Sequence, residues 1–301
     1  MKAYNKWKNQ CLSNKLFDVV NMIVLVTILL LCLYPLYYIV IVSFSSQVTG
    51  VYLYPNGFTL EGYKMILQDK DIWIGYGNTI FYTVVGTMAN LAVTLPCAYA
   101  LSRKDFVGRG FITAIIMVTM FLSGGLVPGY LNMNNLGLLN TRLCIILCGL
   151  TSAYNIIVSR TFFSTTIPGE LLEAAKIDGC SNQKFFSSIV MPLSKPIIAV
   201  MTLYFGVGRW NGYFNEMIYL NDKAKFPLTL FLRRLLSSVE AMQDMIAEGL
   251  IEDVSGAVAN MQMATVMQYC LIVVSTLPML IIYPSMQKYF AQGVMIGSVK
   301  G

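Results

Sequence analysis

The chain has 301 residues, of which 56% are apolar and only 12% are charged, and it carries a formal net charge of +6. Soluble domains contain about a quarter charged residues, so a chain this poor in charge must bury most of its apolar residues in lipid or in a helix bundle. The basic residues form no long run, which favours membrane orientation over nucleic-acid binding as the reason for the positive charge.

Six stretches are long and apolar enough to cross a bilayer, which takes about 20 predominantly apolar residues. We therefore expect an all-α integral membrane protein with six transmembrane helices. The weakest of the six is the third, because Gly124, Gly125, Pro128 and Gly129 interrupt its far end. The expected spans are residues 18–44, 77–101, 110–130, 139–164, 196–220 and 264–287.

The first span follows a basic lead, as a signal peptide would. Its apolar run is too long for a signal core, however, and no small-residue cleavage pattern follows it. Tyr34, Tyr37 and Tyr38 crowd its far end, as in an aromatic belt at a membrane interface. We therefore expect it to be a retained helix.

Lysine and arginine bias sets the expected orientation, because cytoplasmic loops carry the excess of both. Thirteen fall on the side of the termini: Lys2, Lys6, Lys8, Lys15, Arg103, Lys104, Arg109, Arg160, Lys176, Lys184, Lys195, Lys288 and Lys300. Seven fall on the other side: Lys64, Lys70, Arg142, Lys223, Lys225, Arg233 and Arg234. We therefore expect both termini in the cytoplasm.

This orientation divides the chain into segments. A five-helix core is expected at 77–290, and it contains a cytoplasmic loop at 165–195 and an extracellular loop at 221–263. The remaining segments are a cytoplasmic segment 1–17, the first helix 18–44, an extracellular loop 45–76 and a cytoplasmic tail 291–301. The outer loop 221–263 has the pattern of amphipathic helices, which fits either an interfacial helix or a docking surface for another protein.

The cytoplasmic loop 165–195 has the pattern of two short helices joined at a glycine. Pro168 suits a first helical turn, Glu173 places a carboxylate near that helix start, and Gly179 suits a helix end because it accepts a left-handed conformation. Phe185 and Val190 belong to a second amphipathic segment. The residues alone fit both a hairpin lying on the membrane and a docking element for a cytoplasmic partner.

Three motifs resemble a known family. The first consists of Glu173-Ala174-Ala175, of Gly179 after three intervening residues, and of Ile189-Val190-Met191-Pro192 after nine more. It resembles the EAA signature of ATP-binding-cassette importer permeases, which reads EAA-x3-G-x9-I-x-LP. Met191 replaces the usual leucine, a nearly volume-conserving change. Arg209-Trp210-Asn211-Gly212-Tyr213-Phe214-Asn215 and the tail from Phe290 to Gly301 are similar to segments of carbohydrate-uptake permeases of the maltose-transporter type. The resemblance covers about residues 70–301 and points most closely to the subgroup for oligosaccharides or polysaccharide fragments.

The resemblance implies a type I importer permease fold in a bacterial cell membrane. It also implies that the cytoplasmic hairpin couples to ATPase subunits through Glu173, Ala174, Ala175, Asp178, Gly179, Phe185 and Pro192. The implied partners are a second, different permease subunit, two ATPase subunits, an extracellular solute-binding protein, a sugar substrate and membrane lipid. The chain contains no G-x-x-x-x-G-K-[ST] loop, so we expect no bound cofactor and no catalysis, with ATP and Mg on the ATPase subunits.

A charge inside a membrane span is costly and usually functional. Arg209 lies in the fifth span, and aromatic and amide side chains beside it can stack on sugar rings and bond hydroxyls. The candidate substrate-pathway residues are Arg209, Trp210, Asn211, Tyr213, Asn215 and Glu216. A purely structural interpretation is also open, in which Arg209 and Glu216 satisfy each other.

Two other classes of protein fit the sequence less well than the importer. An ion-coupled secondary transporter is disfavoured because only Glu216 lies inside a span and no internal repeat is visible. A membrane-embedded enzyme would need a reactive constellation, and the chain has no histidine and no clustered carboxylates. The seven cysteines are interpreted as small packing residues and no metal site is expected. Within the family, an importer of a non-sugar solute remains open.

Overall fold

The computed structural model describes the backbone of residues 12–46, 48, 50, 53–251 and 253–298. Side chains are described in the same ranges except at positions 12, 13, 283 and 285–298. Residues 1–11 of the expected cytoplasmic segment 1–17 and residues 299–301 of the expected tail 291–301 therefore lie outside the described residues.

The described chain is mostly helical. It contains no strand, and its one isolated β-bridge joins Ser45 and Phe58. The helices are α1 (Leu12–Ser43), α2 (Glu61–Gln68), α3 (Lys70–Ser102), α4 (Arg109–Val118), α5 (Leu126–Asn135), α6 (Arg142–Leu147), α7 (Ala153–Thr166), α8 (Gly169–Ile177), α9 (Asn182–Phe185), α10 (Met191–Leu193), α11 (Lys195–Trp210), α12 (Phe214–Tyr219), α13 (Leu228–Ala247) and α14 (Val254–Ser298), with a π-helical turn at Phe186–Val190 and a 3-10 turn at Lys223–Lys225.

Fewer continuous spans are present than the six expected. Among the described residues, three helical segments are long and apolar enough to cross a membrane: Asn14–Ser43, Lys70–Ser102 and Val254–Ile282. A fourth results if Asn182–Leu193 and Lys195–Trp210, which meet at an angle of 81°, count as one span.

Helix breaks explain the difference. The third expected span ends its first helix at Val118 and resumes at Leu126, after Gly125 with a φ of +84°. The fourth is interrupted at 148–152, where Gly149 has a φ of +72°. A count of apolar residues does not register such breaks, because glycine in a left-handed conformation changes the direction of the chain without changing its hydropathy.

The chain divides into two compact units, of which the first comprises the described residues of 1–68 and 235–274. Here α1 presents large apolar side chains outward, and no residue of its apolar window is buried. Gly62 of α2 lies against the first half of α14, since a Cβ at this position would be 2.8 Å from Sγ of Cys270. The hydroxyl groups of Ser43 and Tyr63 are hydrogen-bonded at 2.7 Å, which joins α1 to α2.

The second unit comprises residues 69–234 and the described residues from 275 onward, and α3 lies at its centre. This helix packs most extensively on α11 and α7. Its C-terminal half contributes to an apolar cluster that is completed by α7 and by the segment 169–190. The buried members of this cluster are Leu95, Ala98, Tyr99, Leu101, Ile156, Phe163, Ala175, Phe185 and Val190.

The N-terminal half of α3 holds the segment 224–228 through polar side chains. The amide of Asn78 donates to the carbonyl oxygens of Ala224 (2.8 Å) and Phe226 (3.1 Å). The Tyr82 hydroxyl donates to the Lys225 carbonyl at 2.9 Å. This loop is therefore anchored to the side of a long helix by hydrogen bonds to its backbone.

Gly75 and Gly77 of α3 provide a matched test of this packing. A Cβ at position 75 would lie 2.9 Å from Cδ2 of Phe231, whereas a Cβ at position 77 would meet nothing within 4 Å. Both substitutions by alanine gain the same helix propensity, so the difference between them isolates the overpacking cost. We expect Gly75→Ala to be less stable than Gly77→Ala by about 1–3 kcal/mol.

The measurement is thermal unfolding of the two purified variants in detergent. Equal unfolding temperatures would show that α3 and α13 are not in contact at this point.

Candidate functional site

The cytoplasmic loop of the sequence analysis folds as two short helices joined at Gly179. Helix α8 ends where Gly179 adopts a φ of +73°, and the Cys180 amide donates back to the Ala175 carbonyl at 2.8 Å. The second helix, α9, begins at once, with the Ser181 hydroxyl accepting from the Lys184 amide at 3.3 Å. We call residues 167–192 the coupling hairpin.

The seven candidate coupling residues divide into two sets by exposure. Ala175 and Phe185 are buried in the apolar cluster beside α3 and α7, so they attach the hairpin to the rest of the chain. The others, Glu173, Ala174, Asp178, Gly179 and Pro192, are exposed and available to a partner.

Sequence reasoning missed Ile177, whose side chain is 86% exposed at the end of α8. An isolated apolar residue at a helix end gives no periodic signal. Beside the exposed Asp178, it gives the tip of the hairpin both an apolar and an acidic group.

A polar clasp also holds the hairpin, and sequence reasoning missed this as well. The guanidinium of Arg103 binds both carboxylate oxygens of Asp105 and donates to Oδ1 of Asn182 at 3.1 Å. Asp105 also accepts from Nζ of Lys176 at 3.4 Å. The clasp thus connects the end of α3 to both helices of the hairpin. The Arg103 guanidinium holds the pKa of Asp105 well below its usual range.

A cavity of about 350 Å³ lies where α11 ends and α12 begins. Five of the six candidate pathway residues line it: Arg209, Asn211, Tyr213, Asn215 and Glu216. Its other lining residues are Cys148, Gly149, Tyr204, Phe205, Gly208, Gly212 and Phe214. Glu216 is buried, whereas Asn211, Tyr213 and Asn215 are exposed.

Trp210, the sixth candidate, does not line this cavity. Its indole Nε1–H donates to the Ser275 carbonyl at 3.0 Å, and its ring meets Tyr76 edge-on, with 6.0 Å between the ring centroids. Successive helical residues are about 100° apart around the axis, so Trp210 faces away from Arg209 although it adjoins it in the sequence.

The guanidinium of Arg209 is bound to the protein itself. It donates through Nε to Oδ1 of Asn90 (3.2 Å), and through its two terminal nitrogens to the carbonyl oxygens of Ile145 (2.5 Å) and Ile146 (2.8 Å). Within the described residues it forms no ion pair with Glu216. Direct pairing of these two charges is therefore not the arrangement found in the described residues.

Comparison with known proteins places the chain among importer permeases. The family model described as binding-protein-dependent transport system inner membrane component matches residues 12–296. Protein LplC of Bacillus subtilis is 36% identical over 96% of both chains. The polygalacturonan/rhamnogalacturonan transport system permease protein YtcP of the same organism is 37% identical, over 96% of this chain and all of its own.

A solved structure matches over nearly the whole chain. It is the crystal structure of a bacterial ABC transporter involved in the import of the acidic polysaccharide alginate. One chain of it aligns with a TM-score of 0.81 and 36% identity, over 93% of this chain and 99% of that one.

The helical fold and these matches define a permease of the type I importer class. The chain belongs to the family of binding-protein-dependent transport system inner membrane components. The importer-permease prediction is thereby confirmed, and the secondary-transporter alternative is not favoured. Membership makes the chain a bacterial inner-membrane transport subunit that works with a partner permease, an ATPase and a solute-binding protein.

Proposed function

We propose that this chain is the permease subunit of an ATP-driven importer for oligosaccharides or polysaccharide fragments. The coupling part of this proposal rests on the hairpin. Its apolar residues are buried against the rest of the chain, and its other face is exposed to a partner. The solute part is supported by the relatives, since YtcP is named for polygalacturonan and rhamnogalacturonan and the structural neighbour for alginate.

In this proposal the chain crosses the membrane six times and both termini are cytoplasmic. Two of the crossings are broken: α4 with α5, and α6 with α7. The fifth consists of α11 and α12. The segment boundaries of the sequence analysis stand otherwise, with an extracellular loop at 45–76, a core at 77–290 and a tail at 291–301. The coupling hairpin then faces the cytoplasm, and 221–263 faces the outside.

The coupling hairpin docks on an ATPase subunit through its exposed set: Glu173, Ala174, Asp178 and Gly179, with Ile177 added. Ala174 permits close approach, and the carboxylates suit a basic partner. Ala175 and Phe185 transmit the force of docking to α3 and α7 because they are packed against both. Pro192 lies just before the sharp bend into α11.

The cavity is part of the solute path. Asn211 and Asn215 offer donors and acceptors to sugar hydroxyls, and Tyr213 and Phe214 offer ring faces to sugar rings. Arg209 and Glu216 contribute one charge of each sign to the wall. Trp210 supports α11 from outside this cavity.

The remaining parts of the importer are divided among other chains. Two ATPase subunits hold ATP and Mg, a second and different permease supplies the other half of the path, and an extracellular binding protein delivers the solute. This chain binds no cofactor and is not catalytic.

Substitutions in the exposed face of the hairpin should uncouple the importer. We expect Glu173→Ala to weaken ATPase association by about 2–5 kcal/mol if its carboxylate pairs across a desolvated interface. Gly179→Val should act more severely, because a β-branched residue is strained at a φ of +73°. Gly179→Asn should be tolerated, since asparagine accepts the left-handed region.

The measurements are pull-down of the ATPase and solute-stimulated ATP hydrolysis in vesicles. Glu248→Ala, an exposed carboxylate far from the hairpin in sequence, is the control for the pull-down and should leave ATPase association unchanged. Wild-type association and stimulation in both Glu173→Ala and Gly179→Val would leave the hairpin as a helix pair lying on the bilayer.

The solute class is tested on the cognate binding protein by a thermal-shift screen against acidic and neutral oligosaccharides, amino acids and peptides. We expect oligosaccharides to raise its unfolding temperature, because a ligand that binds only the folded state stabilises it. A rise in the unfolding temperature with amino acids or peptides alone would leave the importer assignment in place and contradict the proposed solute class.

A further inference from the structure

The break between α6 and α7 creates a problem of unpaired backbone groups. In a continuous helix, the carbonyls of Ile145 and Ile146 would accept from amides four residues later. Here α6 ends at Leu147, Gly149 takes a left-handed conformation, and the Leu150 amide turns back to the Leu147 carbonyl at 3.1 Å. At membrane depth such non-helical backbone persists only where protein or a water-filled cavity satisfies it.

Two side chains from other helices satisfy four carbonyls at this break. Arg209 of α11 donates to Ile145 and Ile146, as described above. The Asn90 amide of α3 donates to the carbonyl oxygens of Gly149 and Leu150, at 2.7 Å each. Asn90 is fully buried, and its own oxygen accepts from Nε of Arg209. The two side chains therefore form one connected network across three helical segments.

Gly86 makes room for this network. It lies one helical turn before Asn90 on α3, and a Cβ there would be 2.9 Å from Nε and 3.1 Å from Cδ of Arg209. Any larger residue would displace the guanidinium from its place beside Asn90. Helix α11 thus supplies the guanidinium of Arg209, and α3 supplies the amide of Asn90 and, at Gly86, the space that the guanidinium occupies.

The contacts of Arg209 favour a positioning role over a solute-binding role. Three of its five guanidinium N–H groups, one on each nitrogen, donate to acceptors of this chain. The positive charge also lies at the C-terminal end of α6, where the helix dipole favours it. Cys148 and Gly149, the residues that follow α6, line the cavity. What Arg209 fixes is therefore a part of the cavity wall.

We propose that Arg209, Asn90 and Gly86 form a clamp that holds the unwound segment 148–152 in the wall of the cavity. Arg209 and Asn90 are positioning residues, and the shape of the wall depends on them. The clamp goes beyond the proposed function and relies on it only for the role of the cavity as the solute path.

Hydrogen–deuterium exchange of the segment 148–152 tests the clamp in the full-length chain in lipid nanodiscs. Arg209→Lys keeps the charge but loses the planar fork. Asn90→Leu removes the amide that serves Gly149 and Leu150. We expect each to raise exchange in 148–152 at least about tenfold. We expect the double variant to add little to either single one, because one network is broken in all three.

Gly86→Ala is a third variant that changes no polar atom of the clamp, so it carries the test even if a polar variant does not fold. It should raise exchange in the same segment. Gly206→Ala on α11 is its control, because a Cβ there meets only Oγ1 of Thr87 at an ordinary 3.8 Å.

Unchanged exchange in 148–152 in all three variants would overturn the proposal. A raised KM for solute uptake in Arg209→Lys, with that exchange unchanged, would also overturn it and would make Arg209 a solute contact instead. Because the exchange measurement needs neither solute nor ATPase, it is independent of the coupling experiment, whose failure would count against the proposed function alone.

Discussion

Buried polar side chains along α3 satisfy backbone groups that other segments leave unpaired, and much of the second unit depends on this. A backbone carbonyl without a donor is costly in an apolar interior. Asn78 and Tyr82 serve the segment 224–228 near the start of α3, and Asn90 serves the break after α6 near its middle. At the other end the relation is reversed, since the carbonyl of Leu101 in α3 accepts from Arg160 of α7 at 3.0 Å. The side chains of α3 thus support irregular backbone at two levels.

This constraint explains how an importer subunit can contain both broken spans and a defined cavity. A break leaves polar backbone at a fixed place, and a clamp of side chains makes that place rigid enough to form a wall. The same helix carries Tyr99 of the apolar cluster under the coupling hairpin and continues into Arg103 of the clasp. In the proposed function, a movement of the hairpin would therefore act on the helix that carries Asn90 of the clamp.

The coupling hairpin was predictable from the sequence because its signals are local. Pro168, Gly179 and the spacing around Glu173 determine helix starts and ends within a short stretch. The helix breaks were not predictable in the same way, since hydropathy over a long window does not record the conformation of Gly125 or Gly149. The sequence indicates that Arg209 lies in an apolar setting, but its acceptors are two backbone oxygens and the Asn90 side chain, all more than sixty residues away.

The clasp and Trp210 show the same limit for tertiary contacts. Asp105 lies two residues from Arg103 in the sequence, but Asn182 lies 79 residues away, and only the fold brings it to the same guanidinium. Its neighbours in the sequence predict that Trp210 lies on the solute path, and in the structure its indole N–H donates to the Ser275 carbonyl. Neighbouring positions on a helix do not share a face, and this decides which members of a motif reach the cavity.

The account is tested most directly by which side of the membrane each end of α3 occupies. This helix has 33 residues, about 50 Å at 1.5 Å per residue, which exceeds the roughly 30 Å hydrocarbon core. With the seven native cysteines replaced by alanine, single cysteines are introduced as Lys223→Cys and Gln183→Cys, both at exposed positions, and probed with a membrane-impermeant thiol reagent. The account predicts labelling of Lys223→Cys in intact cells and of Gln183→Cys only after permeabilisation. Labelling of Gln183→Cys in intact cells would contradict it, because the hairpin would then face away from any ATPase.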